Sequence, residues 1–322
     1  MSDNILVSIV IPCRNEAAHI ATVLKNVNEQ DYPTSSIEVL VADGQSDDNT
    51  REIVQNFNDT VRKVILLDNP ERIVPYALNK AIALAKGQYI IRLDAHTVYA
   101  SNYVSKIMET FASTGADIVG GPMHAIGKTN LQNAVAYATS TSFGVGDSKF
   151  HNINAAGYTD SVYLGAWNRN IFVDVGLFDT AMVRNQDDEF HYRARSLGKT
   201  IYLNPEIKSL YYPRNSLKAL FIQYFQYGLY KPLVLKKVKS GIRIRHLIPS
   251  MFVLYLLFLP WLNYFFGFIF FLPMTMYIIS LLFFCNMNPG KLIEKLLSFP
   301  VYLTIHLGYG TGFLAGISKI KL

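Results

Sequence analysis

The sequence predicts an α/β fold with a mostly parallel sheet, followed by a C-terminal block of transmembrane helices. In the first third of the chain, apolar runs rich in β-branched residues alternate with amphipathic stretches. This alternation is typical of buried parallel strands joined by crossover helices. From residue 246 to residue 290 there is no Asp, Glu, Lys or Arg, and a second uncharged run extends from residue 296 to residue 318. Soluble helices rarely stay uncharged over such lengths.

The composition limits the class of protein. Only 17% of the 322 residues are charged, whereas about 25% is usual in soluble chains. Disorder, a fibrous repeat and a purely soluble enzyme are therefore not expected. Both cysteines lie in apolar runs, which predicts neither a disulfide framework nor a cysteine metal site. The opening segment lacks the basic start of a signal peptide, so we expect the N-terminal part in the cytosol. We expect no nucleic-acid partner.

Local patterns predict the order of the elements. The first four strands are predicted at ILVSIVI, IEVLVAD, VRKVILL and QYIIRLD. Helix patterns begin at Glu16 and Asp48, and a third covers PYALNKAIALAK. Between Gly121 and about Thr159 the pattern loosens around a short helix, as expected of long loops over a site. A helix start follows at residues 185–189, and a longer helix pattern covers residues 216–239.

These patterns predict three regions. Residues 1–215 form the α/β domain, residues 216–246 an amphipathic interfacial helix with a basic linker, and residues 247–322 the membrane-embedded helices. Within the last region, two spans are predicted with a turn near Asn263 or Gly267, and a third segment that either spans or re-enters. A buried helical hairpin in a soluble core is the alternative.

Cations precede the uncharged block, at Lys231, Lys236, Lys237, Lys239, Arg243 and Arg245. By the positive-inside rule they mark the cytosolic side of the cytoplasmic (inner) membrane, and they would attract anionic lipid head groups. A solvated basic helix end is the alternative. In the last segment Gly308, Gly312 and Gly316 share one helical face, where another helix can approach closely. His306 in the same segment is expected to be packed.

Acidic residues follow two of the predicted strands. Asp43 ends the second strand and Asp94 the fourth, and ligands of parallel sheets gather at the carboxyl ends of strands. Such an acid can bind the base or ribose of a nucleotide, and with a neighbour such as His96 it can hold a divalent ion against a diphosphate. Each is alternatively an ordinary turn or capping residue. A third acidic cluster, residues 187–189, lies at a helix start, where the helix dipole favours carboxylates without any function.

Five motifs in order carry a family resemblance: VSIVIPCRNE, VADGQSDDNT, ALNKAIALAKGQYIIRLDAH, GAWNRNIFVDVGLFD and QDDEFHYRAR. Together they resemble glycosyltransferase family 2, from about residue 7 to residue 230. RLDAH, GYTDSVYLGAW and HLGYGTGFLAG further resemble the membrane-anchored glucosyltransferases of the succinoglycan-biosynthesis type. The resemblance implies a Rossmann-like GT-A fold, a nucleotide-diphosphate sugar donor, in the first place a UDP-sugar, a divalent cation (Mn2+ or Mg2+), and inversion at the anomeric carbon.

The resemblance also implies roles for single residues. Asp187 falls on the position of the catalytic base, preceded by Gln186 where Glu is usual. The donor pocket is expected at Pro12, Arg14, Glu16, Asp43, Asp48 and Asp94. Asp94 and His96 fill the metal motif, in which many members have two aspartates, so His96 either ligates the ion or only touches the diphosphate. An imidazole ligand would suit Mn2+ better than Ca2+.

On the acceptor side the resemblance implies Gly165, Trp167, Asp188 and Gln223. Trp167 either stacks on a sugar or belongs to the core. Gln223 begins a weakened Gln-x-x-Arg-Trp motif, the chain-holding motif of processive synthases, in which Gln226 and Tyr227 replace Arg and Trp. An amphipathic helix at the membrane surface would explain the same residues.

The function implied by the resemblance is transfer of one sugar to a hydroxyl of a lipid-linked saccharide, in the synthesis of an exopolysaccharide or envelope glycan. Asp187 would accept the proton of the attacking hydroxyl. A polyprenyl-phosphate sugar synthase is the alternative enzyme, and a non-catalytic membrane scaffold of the same fold is the alternative of another class.

Overall fold

A computed structural model describes residues 6–57, 64–238 and 244–319, without the side chain of Arg245. Lys239 and Arg243 of the predicted basic cluster lie outside the described residues. The chain divides into two compact units, which are made of the segments Met1–His124 with Lys149–Tyr211, and Ala125–Ser148 with Tyr212–Leu322.

Eleven strands are present in the described residues. They are β1 (Val7–Cys13), β2 (Ile37–Asp43), β3 (Val64–Asp68), β4 (Tyr89–Arg92), β5 (Thr97–Tyr99), β6 (Ile118–Gly121), β7 (His124–Ala125), β8 (Gly157–Tyr158), β9 (Tyr163–Asn168), β10 (Ile201–Leu203) and β11 (Ser209–Tyr211). The main sheet has the order β3-β2-β1-β4-β9-β6-β10-β8, and a small sheet has the order β5-β11-β7. In the main sheet only β8 and β9 run against the other six strands. The predicted mostly parallel α/β fold is confirmed.

Helices cover the sheet in the first unit and make up most of the second. They are α1 (Ile20–Asn28), α2 (Thr50–Gln55), α3 (Val74–Leu84), α4 (Tyr103–Thr114), α5 (Asn130–Ser140), α6 (Ser142–Val145), α7 (Ile171–Asp174), α8 (Gln186–Ser196), α9 (Leu217–Val238), α10 (Ile244–Phe266), α11 (Leu272–Met287) and α12 (Leu292–Lys319). The helices α1, α2 and α3 follow the first three strands, as the alternating pattern predicts.

The central strands are buried on both faces. Alternate residues of β1 enter two different clusters: Ile9 and Ile11 pack in one, and Val10 packs with Leu40 of β2 in the other. Because successive side chains of a strand point to opposite faces, this sorting requires apolar residues at nearly every position. In the same register, Cys13 lies beside Asp43 at the ends of the two strands. The turns after β1 and β2 therefore leave one edge of the sheet side by side.

The second unit is a set of packed helices built around α12. Two glycines of α12 lie directly on the backbone of α9: a Cβ atom added to Gly312 would lie 2.1 Å from the carbonyl oxygen of Phe225, and one on Gly316 would lie 2.3 Å from that of Leu229. Small residues thus let the two helices approach at backbone distance. The glycine face packs within the chain.

His306 also lies in the interior of this unit. The hydroxyl of Tyr277 lies 2.9 Å from Nδ1 of His306, and the carbonyl oxygen of Phe143 lies 2.8 Å from Nε2. Both ring nitrogens therefore have partners inside the unit.

Two segments of the second unit are long and apolar enough to cross a membrane: His246–Phe266 and Phe268–Met287, with mean hydropathies of 1.6 and 2.3. Gly267, with a φ of 84°, separates them, which agrees with the predicted position of the turn. Only 11% of each apolar window is buried inside the protein. A core helix of a soluble protein would be mostly buried, so this exposure disfavours the alternative of a soluble helical hairpin.

Replacing Gly312 by Ala should destabilise the helical unit. The new methyl group would collide with the Phe225 carbonyl, and such overpacking costs about 2 kcal/mol. Gly308→Ala is the matched control on the same face, because its methyl group would lie 3.0 Å from the Phe221 carbonyl and needs only a small shift. Thermal unfolding of the full chain in detergent should show a lower Tm for Gly312→Ala alone. Equal Tm values for the two variants would contradict the proposed helix contact.

Candidate active site

The turn after β2 is organised by the carboxylate of Asp43, which is completely buried. The backbone N–H and the hydroxyl of Ser46 both donate to this carboxylate, and Nη1 of Arg51 donates to Oδ2 at 2.9 Å. Both carboxylate oxygens therefore already have partners in the protein. Asp43 was predicted to contact the nucleobase, and this role stays a prediction; in the structure its carboxylate lies beneath the turn.

Arg51 supplies the positive charge that this burial requires. Its Nη1 also lies 2.7 Å from Oδ1 of Asp68, a largely exposed side chain. The hydrogen bonds to Asp43 and then Asp68 raise the pKa of Arg51. Burial, followed by the charge of Asp43, raises the pKa of the neighbouring Cys13 thiol to about 12, so this cysteine stays protonated and unreactive.

The turns after β1 and β2 are tied together by side chains. Asp48 accepts hydrogen bonds from the backbone of Thr50 and, at 3.1 Å, from the backbone N–H of Ala17. The backbone N–H of Glu16 donates to the hydroxyl of Thr50 at 2.8 Å. The Thr50 hydroxyl bond is the first cause of the lowered pKa of Asp48. The predicted donor residues Glu16 and Asp48 are thereby held at one edge of the sheet.

Pro12 and Arg14, two further predicted donor residues, flank the same turns. Pro12 is half-buried near the end of β1, and Arg14 is exposed just after it. A Cβ atom on Gly44 would lie 3.2 Å from Cβ of Arg14, so the missing side chain at Gly44 leaves Arg14 close to the turn after β2.

The metal motif follows β4. Nε and Nη2 of Arg92 each lie 2.9 Å from Oδ1 of Asp94. The backbone N–H of Asp94 donates to the hydroxyl of Tyr99 at 2.7 Å, which fixes the main chain of the motif. Nδ1 of His96 lies 3.0 Å from Oε1 of Glu16, so the motif contacts the loop after β1.

The donor set of this motif fits a divalent ion that is bound mainly through a substrate. No group of three or more His, Cys, Asp or Glu side chains that could hold a metal occurs in the described ranges. Asp94 and His96 offer one carboxylate and one imidazole. Arg92 binds one carboxylate oxygen of Asp94, and Glu16 contacts one ring nitrogen of His96. Mg2+ and Mn2+ are commonly held by one or two protein ligands together with substrate phosphates. The residues therefore fit a metal–diphosphate complex better than a free ion.

Asp187 lies in the first turn of α8 and is half-buried. The residue before the helix, Asn185, has a φ of 59°, a conformation that Asn tolerates better than most residues. The charge of Asp187 acts on the guanidinium of Arg92 and on the imidazole of His191, one helical turn later. The assignment of Asp187 as the catalytic base stays a prediction.

The two acidic residues after Asp187 differ in burial. Glu189 is buried and accepts from Nε and Nη2 of Arg193 at 2.9 and 2.8 Å, while Nη2 of Arg193 also donates to the carbonyl oxygen of Leu177. This bidentate pair anchors α8 to the preceding loop. Asp188 is half-buried in the same turn as Asp187, and its backbone N–H donates to Oδ1 of Asp187 at 2.9 Å.

The predicted acceptor wall is largely interior. Trp167 is 1% exposed and packs against the rings of Phe172, Phe178 and Phe190, which is the core alternative that the sequence left open. A Cβ atom on Gly165 would lie 2.9 Å from the Trp167 ring, so the glycine makes room for the indole.

Gln223 lies in the second unit, on α9, where its Nε2 donates to the hydroxyl of Tyr227 at 2.9 Å. The two residues are one helical turn apart, and their hydrogen bond stays within the helix. The position of Gln223 in the acceptor site stays a prediction.

Contacts connect the turns of Asp43 and Asp94 inside the first unit. Ser46, held by Asp43, accepts from the backbone N–H of Asn15 at 2.8 Å. The next residue, Glu16, contacts His96 of the metal motif. Asp94 lies two residues before His96 and is bound to Arg92. The motifs of Asp43 and Asp94 therefore meet at one edge of the sheet, and the place of Asp187 beside them stays a prediction.

Sequence reasoning missed the two arginines that hold these acids. Arg92 carried a usable signal, since a charged residue at the end of an otherwise apolar strand needs a partner, and Asp94 two positions later lies on the same side. Arg51 carried none, because an arginine in the first turn of a helix is usually a solvated side chain. Tyr99 and Ser46 were missed for the same reason: their roles depend on tertiary neighbours.

Replacing Arg51 by Met should destabilise the first unit, because the buried Asp43 carboxylate would lose its cation at a cost of roughly 3 kcal/mol. Asp68→Asn is the matched control: it removes the exposed partner of the same guanidinium and should cost at most about 1 kcal/mol. Denaturant unfolding of the full chain in detergent measures both values. Similar losses in the two variants would show that burial of Asp43 is not the cause.

Comparisons with known proteins agree with this geometry. Residues 8–172 match the family model described as glycosyl transferase family 2. The succinoglycan biosynthesis protein ExoA of Rhizobium meliloti is 37% identical over 223 residues, which cover 68% of this chain and 67% of that protein. The dolichyl N-acetyl-alpha-D-glucosaminyl phosphate 3-beta-D-2,3-diacetamido-2,3-dideoxy-beta-D-glucuronosyltransferase of Methanococcus voltae is 30% identical over 242 residues, which cover 72% of this chain and 74% of that protein.

Among solved structures, the mannosyltransferase PcManGT from Pyrobaculum calidifontis, in complex with GDP-Man and Mn2+, is similar with a TM-score of 0.63. The sequence identity is 18%, and the alignment covers 98% of this chain and 88% of that chain. At this identity the likeness shows a shared fold, which confirms the predicted GT-A architecture. The family match over residues 8–172 and the relatives that align over two thirds or more of both chains show that this protein belongs to glycosyltransferase family 2, whose members are inverting glycosyltransferases.

Proposed function

We propose that this protein transfers one sugar from a nucleotide-diphosphate sugar, in the first instance a UDP-sugar, to a hydroxyl group of a lipid-linked saccharide. The observation that carries this proposal is the contact of His96 with Glu16, which joins the metal motif of Asp94 to the turn after β1, where the donor pocket is predicted. The family fixes the stereochemical outcome as inversion, which requires the acceptor to attack from the face opposite the leaving diphosphate.

The proposed mechanism assigns proton transfer to Asp187. Its carboxylate accepts the proton of the attacking acceptor hydroxyl, which makes the oxygen a stronger nucleophile as the bond to the anomeric carbon forms. The bond to the donor diphosphate breaks on the other side. A divalent ion held by Asp94, with His96 beside it, would neutralise charge on the departing diphosphate. Holding donor and acceptor in line supplies much of the remaining rate enhancement.

The donor side follows from the turns after β1 and β2. We propose that Asp43 shapes the nucleotide pocket through Ser46 and Arg51, since its own carboxylate is fully buried and paired. Exposed Arg14 and Asp48 then offer the surface on which the nucleoside lies. This arrangement would place the diphosphate toward Asp94, because Glu16 connects the two regions.

The proposed acceptor follows from the relatives and from the apolar helices. The Methanococcus relative is named for a dolichyl-phosphate-linked sugar as its acceptor, and the Rhizobium relative for succinoglycan biosynthesis. A lipid-linked acceptor is confined to the bilayer, and α10 and α11 would confine the enzyme to the same surface. Confinement raises the effective concentration of one for the other.

We propose the cytoplasmic membrane as the location, with the first unit on the cytosolic side. Lysines flank the two apolar segments on both sides: Lys236 and Lys237 before them, and Lys291 and Lys295 after them. Two spans return the chain to the side from which it started, so all four lysines would face the cytosol, as the positive-inside rule requires.

The acceptor class can be tested directly. The full chain, purified in detergent and supplied with Mn2+, is incubated with UDP-sugars and with GDP-mannose. Each donor is paired with either a polyprenyl-diphosphate-linked saccharide or bare polyprenyl phosphate. We expect sugar transfer to the lipid-linked saccharide alone. Transfer to bare polyprenyl phosphate would identify a polyprenyl-phosphate sugar synthase, and no transfer from any donor would favour the scaffold alternative.

Asp187→Asn should lower kcat by at least about 100-fold, because a general base commonly contributes 10²- to 10⁴-fold. Donor binding, measured by calorimetry with the nucleotide diphosphate and Mn2+, should change little. The matched control is Asp174→Asn, the same substitution at an exposed carboxylate that pairs with Lys199. Transfer by Asp187→Asn at the rate of this control would refute the base assignment.

A further inference from the structure

Arg92 is a buried cation at the start of the RLDAH motif, to which the sequence analysis assigned no role. It ends β4, is 7% exposed, and directs both Nε and Nη2 to the same oxygen of Asp94. Burying a guanidinium costs several kcal/mol unless opposite charges and hydrogen bonds compensate. A single carboxylate at hydrogen-bond distance supplies part of this compensation, so other groups near Arg92 matter.

Burial lowers the pKa of Arg92, whereas the charge of Asp94, followed by that of Asp187, raises it, and the net direction is upward. The contact at hydrogen-bond distance is the one with Asp94, two positions later in the chain. Asp94 is therefore the direct partner of Arg92.

The geometry of the contact determines how Asp94 could serve an ion. Both donated bonds of Arg92 go to Oδ1, and in the described chain no hydrogen bond holds Oδ2. The backbone of Asp94 is fixed in addition by the Tyr99 hydroxyl. The carboxylate is therefore restrained at one oxygen and at its main chain, which leaves the other oxygen as a single, oriented ligand atom. A planar guanidinium can impose this orientation, whereas a lysine ammonium is a point charge on a flexible stem.

We infer that Arg92 is a positioning residue: it orients the carboxylate of Asp94 toward the metal–diphosphate. This inference rests on the proposed function, because it takes Asp94 as a metal ligand. Arg92 would act through Asp94 and would not itself touch the substrate.

The test compares the full-length wild type with Arg92→Lys and Arg92→Gln. Arg195→Gln is the matched control, since Arg195 is an exposed cation on the helix of Asp187. Calorimetry measures Mn2+ affinity in the presence of saturating UDP. GDP replaces UDP if GDP-mannose proves to be the donor in the transfer assay. Nucleotide binding in EDTA reports an intact fold. We expect both Arg92 variants to lose roughly 10- to 100-fold in Mn2+ affinity, as is typical of residues that orient metal ligands. The control should match the wild type.

Kinetics provide the second measurement. In both Arg92 variants kcat should fall, while the KM for the acceptor should stay near that of the wild type. Wild-type Mn2+ affinity in Arg92→Gln would overturn the inference, and so would full rescue by Arg92→Lys, which keeps the charge but not the planar contact. If Arg92→Gln does not fold, Arg92→Lys decides the question. Absence of transfer by the wild type would count against the proposed function alone, because the Mn2+ titration remains a separate measurement.

Discussion

The parallel pairing of β1 with β2 and β4 is the constraint on which the site depends. The register sets Cys13 beside Asp43 and Val10 beside Arg92, so three strand ends reach the same edge of the sheet. Each strand is buried on both faces, and a slip by one residue would move every apolar side chain to the wrong face. Hydrophobic burial in the strands therefore fixes the positions of polar residues that lie beyond their ends. No attraction between the polar residues themselves is needed to bring Asp43 and Asp94 to one edge.

Pairing of acids with arginines then determines how the carboxylates at this edge of the sheet are held. Each of the two acids at the strand ends is bound to an arginine, Asp43 to Arg51 and Asp94 to Arg92. The arginine beside each acid offsets the cost of holding a carboxylate away from water. The two arginines differ in their surroundings: Arg51 also binds exposed Asp68, whereas Arg92 is buried and directs Nε and Nη2 to one oxygen of Asp94. The first pair stabilises a turn, and the second restrains the carboxylate that we propose as a metal ligand.

The elements set by local periodicity could be predicted from the sequence. The strand that ends at Asp43, the strand that ends two residues before Asp94, the helices between them and the turn at Gly267 follow from apolar patterns and from glycine. The placement of Trp167 could not be predicted, because a tryptophan ring suits a sugar face and a core equally well, and the choice depends on Phe178 and Phe190 from other segments. The role of Arg51 could not be predicted either, because its partners come from other segments, β2 and β3.

The order of the strands in the sheet and the unit to which α5 belongs could not be predicted from local patterns either. The strand β9 inserts antiparallel between β4 and β6, although nothing in its own sequence distinguishes it from a parallel strand. The helix α5 follows a loosened pattern that suggested loops over a site, yet it is part of the helical unit, where Nδ2 of Asn133 donates to Glu294 at 2.7 Å. Both placements are set by contacts with residues far away in the chain, and a local window contains no information about them.

Backbone strain indicates that the site is held in place before any ligand binds. In the described residues, five residues other than glycine have a positive φ, and two of them, Asn15 and Gln45, lie in the turns after β1 and β2. Such conformations cost on the order of 1 kcal/mol each and persist only where the surroundings enforce them. Here side chains do so: Oδ1 of Asn15 accepts from the backbone N–H of Asp47, and the amide oxygen of Gln45 accepts two bonds from Arg72. Because these bonds lie within the protein, a nucleotide that enters the pocket does not have to order the turns, and its binding energy remains available for positioning the sugar.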